Sequence, residues 1–374
     1  MTTTLSKPFR YAVLGCGAPG KNHAQGATYL KDEYTLCAGC DLDEAALQAF
    51  GQSFPEAKLY TDLDQMLAAE QPEVVAIATG AVPRGMLIEK LARVESVKGI
   101  YAEKPFTVNY GEAKSAIKAC QENDVALVVN HQRRMLPTFL KFRELIEAGV
   151  IGEPEYIVAS TPGDILSDAT HLLDTIRHLL GDRPAKWVFG QVYRDLDEFR
   201  KRAAEGHAAH KAEGTRFGHN VETGGMALVE FDGEVRATLQ TGSFWDGKRH
   251  GYNHIEVHGT RGVLKRLGDK GYERGLTEPA LYLLNDQAAG WQPIEVEASM
   301  GIAAVRGLGR PECYGPFAKM IREGAPHPLS GENALKTHEL VMAFYESARL
   351  RRKVYLPLEQ DAFPLDLMIA DNAF

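Results

Sequence analysis

Lys104 stands in the run "YAEKPF", Tyr101 to Phe106, at the end of "VKGIYAEKP", a segment whose apolar composition reads as a buried strand. The proline that follows cannot continue the ladder, so the ammonium is delivered to a strand end. On spacing alone two readings stand open. One is a solvated charge paired with its neighbour Glu103. The other is chemical: a positive charge held beside a redox cofactor and a substrate hydroxyl would stabilise the alkoxide that develops as hydride leaves. The cofactor has its own pattern in "YAVLGCGAPGKNHAQG", where Gly15, Gly17 and Gly20 stand in G-x-G-x-x-G spacing after an apolar run. The first glycine makes a tight turn, the second lets the backbone approach a pyrophosphate and the third permits close helix packing. Ala18 and Pro19 complete the loop, and a position opening a helix tolerates proline. Asp41 closes the second apolar run about twenty residues beyond Gly20, where an acidic side chain accepts hydrogen bonds from ribose hydroxyls. It would repel a 2'-phosphate, which favours NAD over NADP. Thr79, ending the run "VVAIAT", joins Glu103 and Lys104 in the expected cofactor-contacting set.

The elements that must position these groups follow from periodicity. From Phe9 to about Asn130, "FRYAVL", "YTLCAGC", "KLY", "VVAIAT", "GIYA" and "VALVVN" alternate with helix-like segments such as "DEAALQAF" and "GEAKSAIKACQEN". Such alternation predicts right-handed βαβ units, a parallel sheet covered on both faces and a ligand crevice at its strand ends. After "LPTFLKFRELIEAG" the pattern changes to longer alternating runs. "GGMALVEFDGEVRATLQTG" is two strands around Asp232-Gly233, a hairpin signal. The expected architecture is an α/β Rossmann domain, residues 1–134, followed by an α+β domain, residues 135–374, with a large, mostly antiparallel sheet. The polar run from Asp195 to Thr223 reads as an insertion or flap.

Composition sets limits. The chain has 374 residues, 44% hydrophobic and 25% charged, enough for two cores without disulfides. A formal net charge of -8 argues against a general grip on nucleic acid or anionic lipid. No apolar run is long enough to span a membrane and "MTTTLSKPFR" carries no export signal, so a cytoplasmic protein is expected. Five scattered cysteines fit a reducing compartment. In "CAGC" the pair Cys37 and Cys40 lies inside a strand-like run, where residues three apart point to opposite faces, so small strand residues are expected rather than a redox pair.

The blocks "GCGAPG", "CDLDEAALQAF", "EKPF", "NHQRRM", "AGVIGEP", "THLLDTIRHLLGD", "IEVHGTRGVL" and "LSGENALKTHELVMAFYESARLRRKVYLPL" run nearly end to end. In this order the chain resembles the glucose-fructose oxidoreductase, inositol dehydrogenase and MocA (Gfo/Idh/MocA) family. The resemblance implies a Rossmann domain with NAD or NADP, then an open-faced sheet domain that carries much of the substrate site and often the oligomer interface. It implies that Lys104 contacts both substrate and nicotinamide, with Glu103 and Pro105 as supports and Lys104-Pro105 a candidate cis bond. In "SDATHLLDTIRHLLGD", His171 matches the catalytic histidine, the natural proton acceptor at neutral pH. The family often has an aspartate four residues earlier, where this chain has Ser167; Asp168, on nearly the same helix face, is expected to take over the orienting role. Asp174 matches a recurring acidic position that reaches substrate or the histidine. Arg133 and Arg134 are expected to line the substrate, as are His219, Asn220 and Trp245 in the second domain. Many relatives have a proline and a histidine where this chain reads "TGAVPRGM", so Arg84 should make the nicotinamide side or the substrate unusual. His171, Asp174 and His178 also fall at metal-ligand spacings on a helix, but no completing cluster is present and no metal is expected.

The expected function is therefore NAD-dependent hydride transfer to or from a secondary hydroxyl of a sugar, sugar derivative or cyclitol, in a homo-oligomer without nucleic-acid or membrane partners. Two alternatives are kept: a glycoside hydrolase of the same fold that recycles bound NAD, with an anionic sugar as one candidate substrate, and a non-catalytic NAD-dependent sensor.

Overall fold

The computed structural model describes residues 7–205, 211–242, 252–267, 281–287, 290–296 and 311–374. The chain forms two compact units, one from the described residues of Met1–Thr107, Glu112–Gln132 and Met300–Leu335, the other from those of Val108–Gly111, Arg133–Ser299 and Lys336–Phe374.

In the first unit the six expected runs become strands β1 (Phe9–Leu14), β2 (Tyr34–Cys40), β3 (Lys58–Tyr60), β4 (Val74–Ile77), β5 (Gly99–Ala102) and β6 (Ala126–Val129). They pair in parallel in the order β3-β2-β1-β4-β5-β6. The order reverses at β1/β4, which is where a doubly wound sheet opens its crevice. Val74 to Ile77 and Ile100 to Ala102 are buried, as expected of strands covered on both faces. Helices start where the sequence offers caps: Asp43 accepts from the Ala45 and Ala46 amides, and Asp62 from the Gln65 amide at 2.8 Å. Cys37 and Cys40 are buried on β2, and burial pushes both thiols up to about 11, the state of inert core residues.

The helix Pro311–Glu323 belongs to this unit although it follows the second sheet in the chain. Its Tyr314 packs edge-on to Tyr11 and is stacked on Tyr101 at 4.7 Å between ring centroids.

The second unit is built on a nine-stranded sheet. Its strands come from β7 (Pro154–Thr161), β8 (Ala185–Tyr193), β11 (Gly224–Phe231), β12 (Arg236–Thr241), β13 (His254–Gly259), β14 (Gly262–Arg266), β15 (Leu281–Asn285), β16 (Gln292–Ile294) and β17 (Val354–Tyr355), while β9 (Thr215–Arg216) and β10 (His219–Asn220) form a separate short hairpin. All pairs in the large sheet are antiparallel except β12 with β7. One face is buried through Ile157, Ala159, Val188, Ala227, Val229, Leu239 and Val257, whereas Tyr156, Phe189 and Met226 on the other are exposed. That is the open face that the family resemblance implied, and an antiparallel sheet allows it. The run Asp195 to Thr223, expected as a flap, holds the helix Leu196–Ala204 and the β9–β10 hairpin.

Candidate active site

The glycine-rich loop joins β1 to the helix Ala18–Thr28. Gly15 has φ +93 and a Cβ there would stand 2.8 Å from Ala78 C and Thr79 N; a Cβ at Gly20 would stand 1.8 Å from Gly15 O. Only glycine fits either place, so β1 turns tightly against the end of β4. At Gly17 a Cβ would meet nothing nearer than Pro19 Cδ at 4.0 Å. The second glycine thus faces open space at a helix start that has no side-chain cap and no acidic residue in its first turn. A backbone cradle of that kind fits a pyrophosphate. Asp41 Oδ2 accepts the Cys16 amide at 2.6 Å and Oδ1 the Asp43 amide at 2.9 Å. Each oxygen keeps a lone pair for a ribose hydroxyl, so the donor and acceptor set suits a dinucleotide without a 2'-phosphate.

Lys104 follows β5, and the Lys104-Pro105 peptide is cis. Glu103 is buried; its Oε1 lies 3.0 Å from His23 Nε2 and accepts Asn130 Nδ2 at 2.7 Å, while Oε2 accepts the Lys104 amide at 3.1 Å. Burial alone would raise this carboxyl. The His23 hydrogen bond and charge, Asn130 and the Lys104 charge outweigh it and hold the group down at about 2. On the other side Arg84 donates to the carbonyls of Pro105 and Thr79. Arg84 is only 2% exposed, and burial pulls it down to about 10 against the opposing charge of Glu103. Arg84 was expected to alter the nicotinamide side or the substrate; in the structure its Nη1 and Nη2 are engaged by two main-chain oxygens. It ties the end of β4 to the turn that carries Lys104.

In the second unit His171 is buried in the first turn of the helix Thr170–Leu179. The helix is preceded by a π-helical turn, Ile165–Ala169, capped by Asp164, which accepts the Ser167 amide at 2.6 Å. This wider turn breaks the spacing on which the expected role of Asp168 relied, because that argument assumed one continuous α-helix. The Asp168 carboxylate is instead paired with Arg216, which also holds Asp164 at 2.6 Å. Burial would raise Asp164; the Arg216 and His219 charges and the Ser167 amide bring it below the ordinary carboxylate range. Ser167, where relatives often carry aspartate, has its Oγ 3.2 Å from Nε2 of buried His219.

Arg134 and Asp174, both expected to face substrate, face each other. Arg134 Nε and Nη2 donate to Asp174 at 2.7 and 2.9 Å, and the same guanidinium donates to Asp182 at 2.9 Å. Thr337 donates to Asp174 at 2.8 Å. The arginine is 1% exposed and the aspartate 2%. Burial would lower the guanidinium, but the two carboxylates more than restore it, so it remains charged. The helical metal reading loses Asp174 to the arginine, and His178 is held near 4 by burial and the charges of Arg134 and Arg143. Among the described residues no group of three metal-binding side chains is arranged to hold an ion. Arg133 sits half-buried on the turn Gln132–Met135; with the Asn253 amide oxygen turned toward it, its Nη1 donates at 2.9 Å. Asn220 donates to Asp366 at 2.8 Å. Trp245 lies outside the described residues.

The sequence reading gave no role to Asp182, although it ends the block "THLLDTIRHLLGD", nor to Arg216 or Glu222. Glu222 is buried, accepts the Ile165 amide at 2.7 Å and the Tyr345 hydroxyl at 2.5 Å, and is raised to about 8 by burial and by the Asp164 charge. The folded state therefore binds this proton more tightly than the unfolded chain. The stability that this group contributes is fully present below the ordinary 4.5 and is lost as pH rises from there to about 8. Glu222→Gln keeps the shape and removes the ionisation. Its melting temperature should exceed that of the wild type at pH 8.5 and match it at pH 4.5; equal gains at both would disprove the assignment.

The model of the oxidoreductase family with an NAD-binding Rossmann fold (GFO/IDH/MocA) matches residues 9–131, and the GFO/IDH/MocA C-terminal domain matches residues 139–265. A D-apiose dehydrogenase from Paraburkholderia graminis is 30% identical over 96% of this chain and 93% of its own length. An inositol 2-dehydrogenase from Rhizobium meliloti is 30% identical over 47% of this chain and 56% of its own. Among solved structures, the WlbA dehydrogenase of Bordetella pertussis, determined with NADH and UDP-GlcNAcA, superposes with a TM-score of 0.75 at 20% identity over 95% of this chain and 99% of that one, a likeness of fold. The fold and the glycine-rich cradle thus define an oxidoreductase with an NAD-binding domain. The chain belongs to the Gfo/Idh/MocA family.

Proposed function

We propose that the protein oxidises a secondary hydroxyl of a neutral sugar, sugar derivative or cyclitol with NAD. The observation that carries this reading is Lys104 at the end of β5, its backbone fixed by Glu103 on one side and, through Pro105, by Arg84 on the other, in the unit that holds the dinucleotide loop. NAD, when bound, supplies the hydride acceptor. Gly15, Gly17 and Gly20 with the helix start hold its pyrophosphate, and Asp41 its ribose. Lys104 binds the substrate oxygen and stabilises the negative charge that grows on it. His171 takes the hydroxyl proton. The names of the sugar and inositol dehydrogenases among the relatives support the substrate class. Arg84 and Arg134 donate to protein oxygens, which supports a neutral over an anionic sugar. The exposed Tyr156, Phe189 and Met226 support a homo-oligomer formed through the open sheet face.

The test is incubation with NAD and a panel of aldoses including D-apiose, sugar acids, inositols and aryl glycosides, with NADH followed by absorbance and products by mass spectrometry. NADH accumulating with a keto or lactone product of a neutral polyol is expected. Cleavage of a glycoside without net NADH would replace this reading with NAD-recycling hydrolysis, and NAD binding without turnover would favour a sensor.

A further inference from the structure

The support behind Lys104 does not end at its motif. His23, in the helix that opens on the glycine-rich loop, is buried with both ring nitrogens at hydrogen-bond distance: Nε2 is 3.0 Å from Glu103 Oε1 and Nδ1 is 2.5 Å from the Tyr314 hydroxyl. The Tyr314 oxygen is in turn 2.9 Å from the Tyr11 hydroxyl, and Tyr101, stacked on Tyr314, donates to Asn130 at 3.1 Å, the amide that also holds Glu103. Every member of this set is buried. A histidine packed among tyrosine rings is commonly a core residue, and aromatic packing alone would account for its burial. It would not account for an imidazole bridging a phenol to the carboxylate that precedes Lys104.

We propose that His23 is a positioning residue for Lys104, acting through Glu103 so that one buried hydrogen-bonded set fixes both the helix of the cofactor loop and the ammonium. The inference rests on the role given to Lys104 above. The groups facing the imidazole are the phenols of Tyr101 and Tyr314 and the Glu103 carboxylate, with the Tyr11 hydroxyl behind that of Tyr314, the Asn130 amide on the same carboxylate, and the charges of Lys104 and Arg84 beyond it. Burial drives the Tyr101 and Tyr314 hydroxyls well above their ordinary range, so they stay neutral, while Glu103 is a carboxylate. The imidazole therefore braces a fixed negative charge beside the lysine. Removing the brace loosens the carboxylate, which accepts the Lys104 amide and whose charge acts on the ammonium.

The experiment compares wild type, His23→Leu, His23→Gln and Tyr314→Phe. Lys104 acylation by limiting acetic anhydride is read by peptide mass spectrometry, NAD affinity by fluorescence, and kcat on whichever substrate the panel yields. A glutamine can still span from the Tyr314 hydroxyl to Glu103, so His23→Gln should acylate and turn over within about twofold of wild type. In His23→Leu, Lys104 should acylate about threefold faster or more, equivalent to half a pKa unit, and kcat should fall about tenfold. NAD affinity should change by less than about threefold. Tyr314→Phe keeps the ring volume and should show the same direction of change, and it decides the matter if His23→Leu does not fold. Unchanged Lys104 acylation in the folded variants would overturn the proposal. So would equal losses in His23→Leu and His23→Gln with NAD binding gone, which a purely structural role predicts. Because the acylation arm needs no turnover, failure of the dehydrogenase reading leaves a separate trace: silence on every substrate with the acylation difference intact.

Discussion

Lys104→Met should lose about a thousandfold in kcat, roughly 4 kcal/mol of transition-state stabilisation, while NAD binding stays within a few-fold of wild type. The reasoning is local. In the proposed reading the pyrophosphate cradle is backbone at Gly15, Gly17 and Gly20, and the ribose acceptor is Asp41, which the Cys16 and Asp43 amides hold. None of these needs the ammonium. The methionine keeps much of the aliphatic stem and deletes the charge. Lys104→Arg keeps the charge but replaces a compact ammonium with a planar fork, and should recover only part of the rate. Binding is checked by NADH fluorescence and rate by single-turnover kinetics, so that product release does not mask the chemical step. A methionine variant within tenfold of wild type would return Lys104 to the plain reading of a solvated charge beside Glu103.

Arg134→Met should destabilise the protein by about 3–5 kcal/mol, because it leaves Asp174 ionised, buried and short of its bidentate partner. Asp174 would keep the Thr337 hydroxyl but lose both guanidinium bonds, while Asp182 retains Arg177 at 3.2 Å and is partly exposed. The double substitution Arg134→Met with Asp174→Leu should recover a good part of the loss, since it leaves no unpaired charge at that position. Urea unfolding at pH 7 reads both. A single-variant loss below about 1 kcal/mol would mean that water reaches the pair and that its burial carries little energy. This site was first a pair of substrate candidates, and the correction has a physical cause. Two residues forty positions apart in sequence, each compatible with a crevice by its own neighbourhood, satisfied each other's charge when folded.

Local chemistry made the first unit legible. Six strands, the doubly wound alternation, the glycine-rich loop and Asp41 were readable because each depends on short-range facts: period, turn stereochemistry, and which residue lacks a Cβ. The antiparallel strands of the second sheet were readable for the same reason, whereas its open face, with Tyr156, Phe189 and Met226 on one side, was expected from the resemblance. The placement of Lys104 at the end of β5 came from the sequence, and its expected chemistry and that of His171 from resemblance. Asp168 shows where helical spacing misled, because the π-helical turn Ile165–Ala169 changes the angle between neighbours without leaving a signature in residue type.

What only tertiary structure decided is which charges are available and which are used. Arg84, Arg134 and Arg216 look alike in a sequence, yet the first is closed over two carbonyls, the second over Asp174 and Asp182, and the third over Asp164 and Asp168. Tyr314 joined His23 and Glu103 from a helix nearly three hundred positions along the chain, 291 from His23. Burial makes an unpaired charge costly, so each buried group is defined by the partner that the fold brings to it, and partners across such distances carry no local pattern to read. The sequence by itself determined the cofactor cradle and the strand that ends at Lys104; the packing determined what holds that lysine in place.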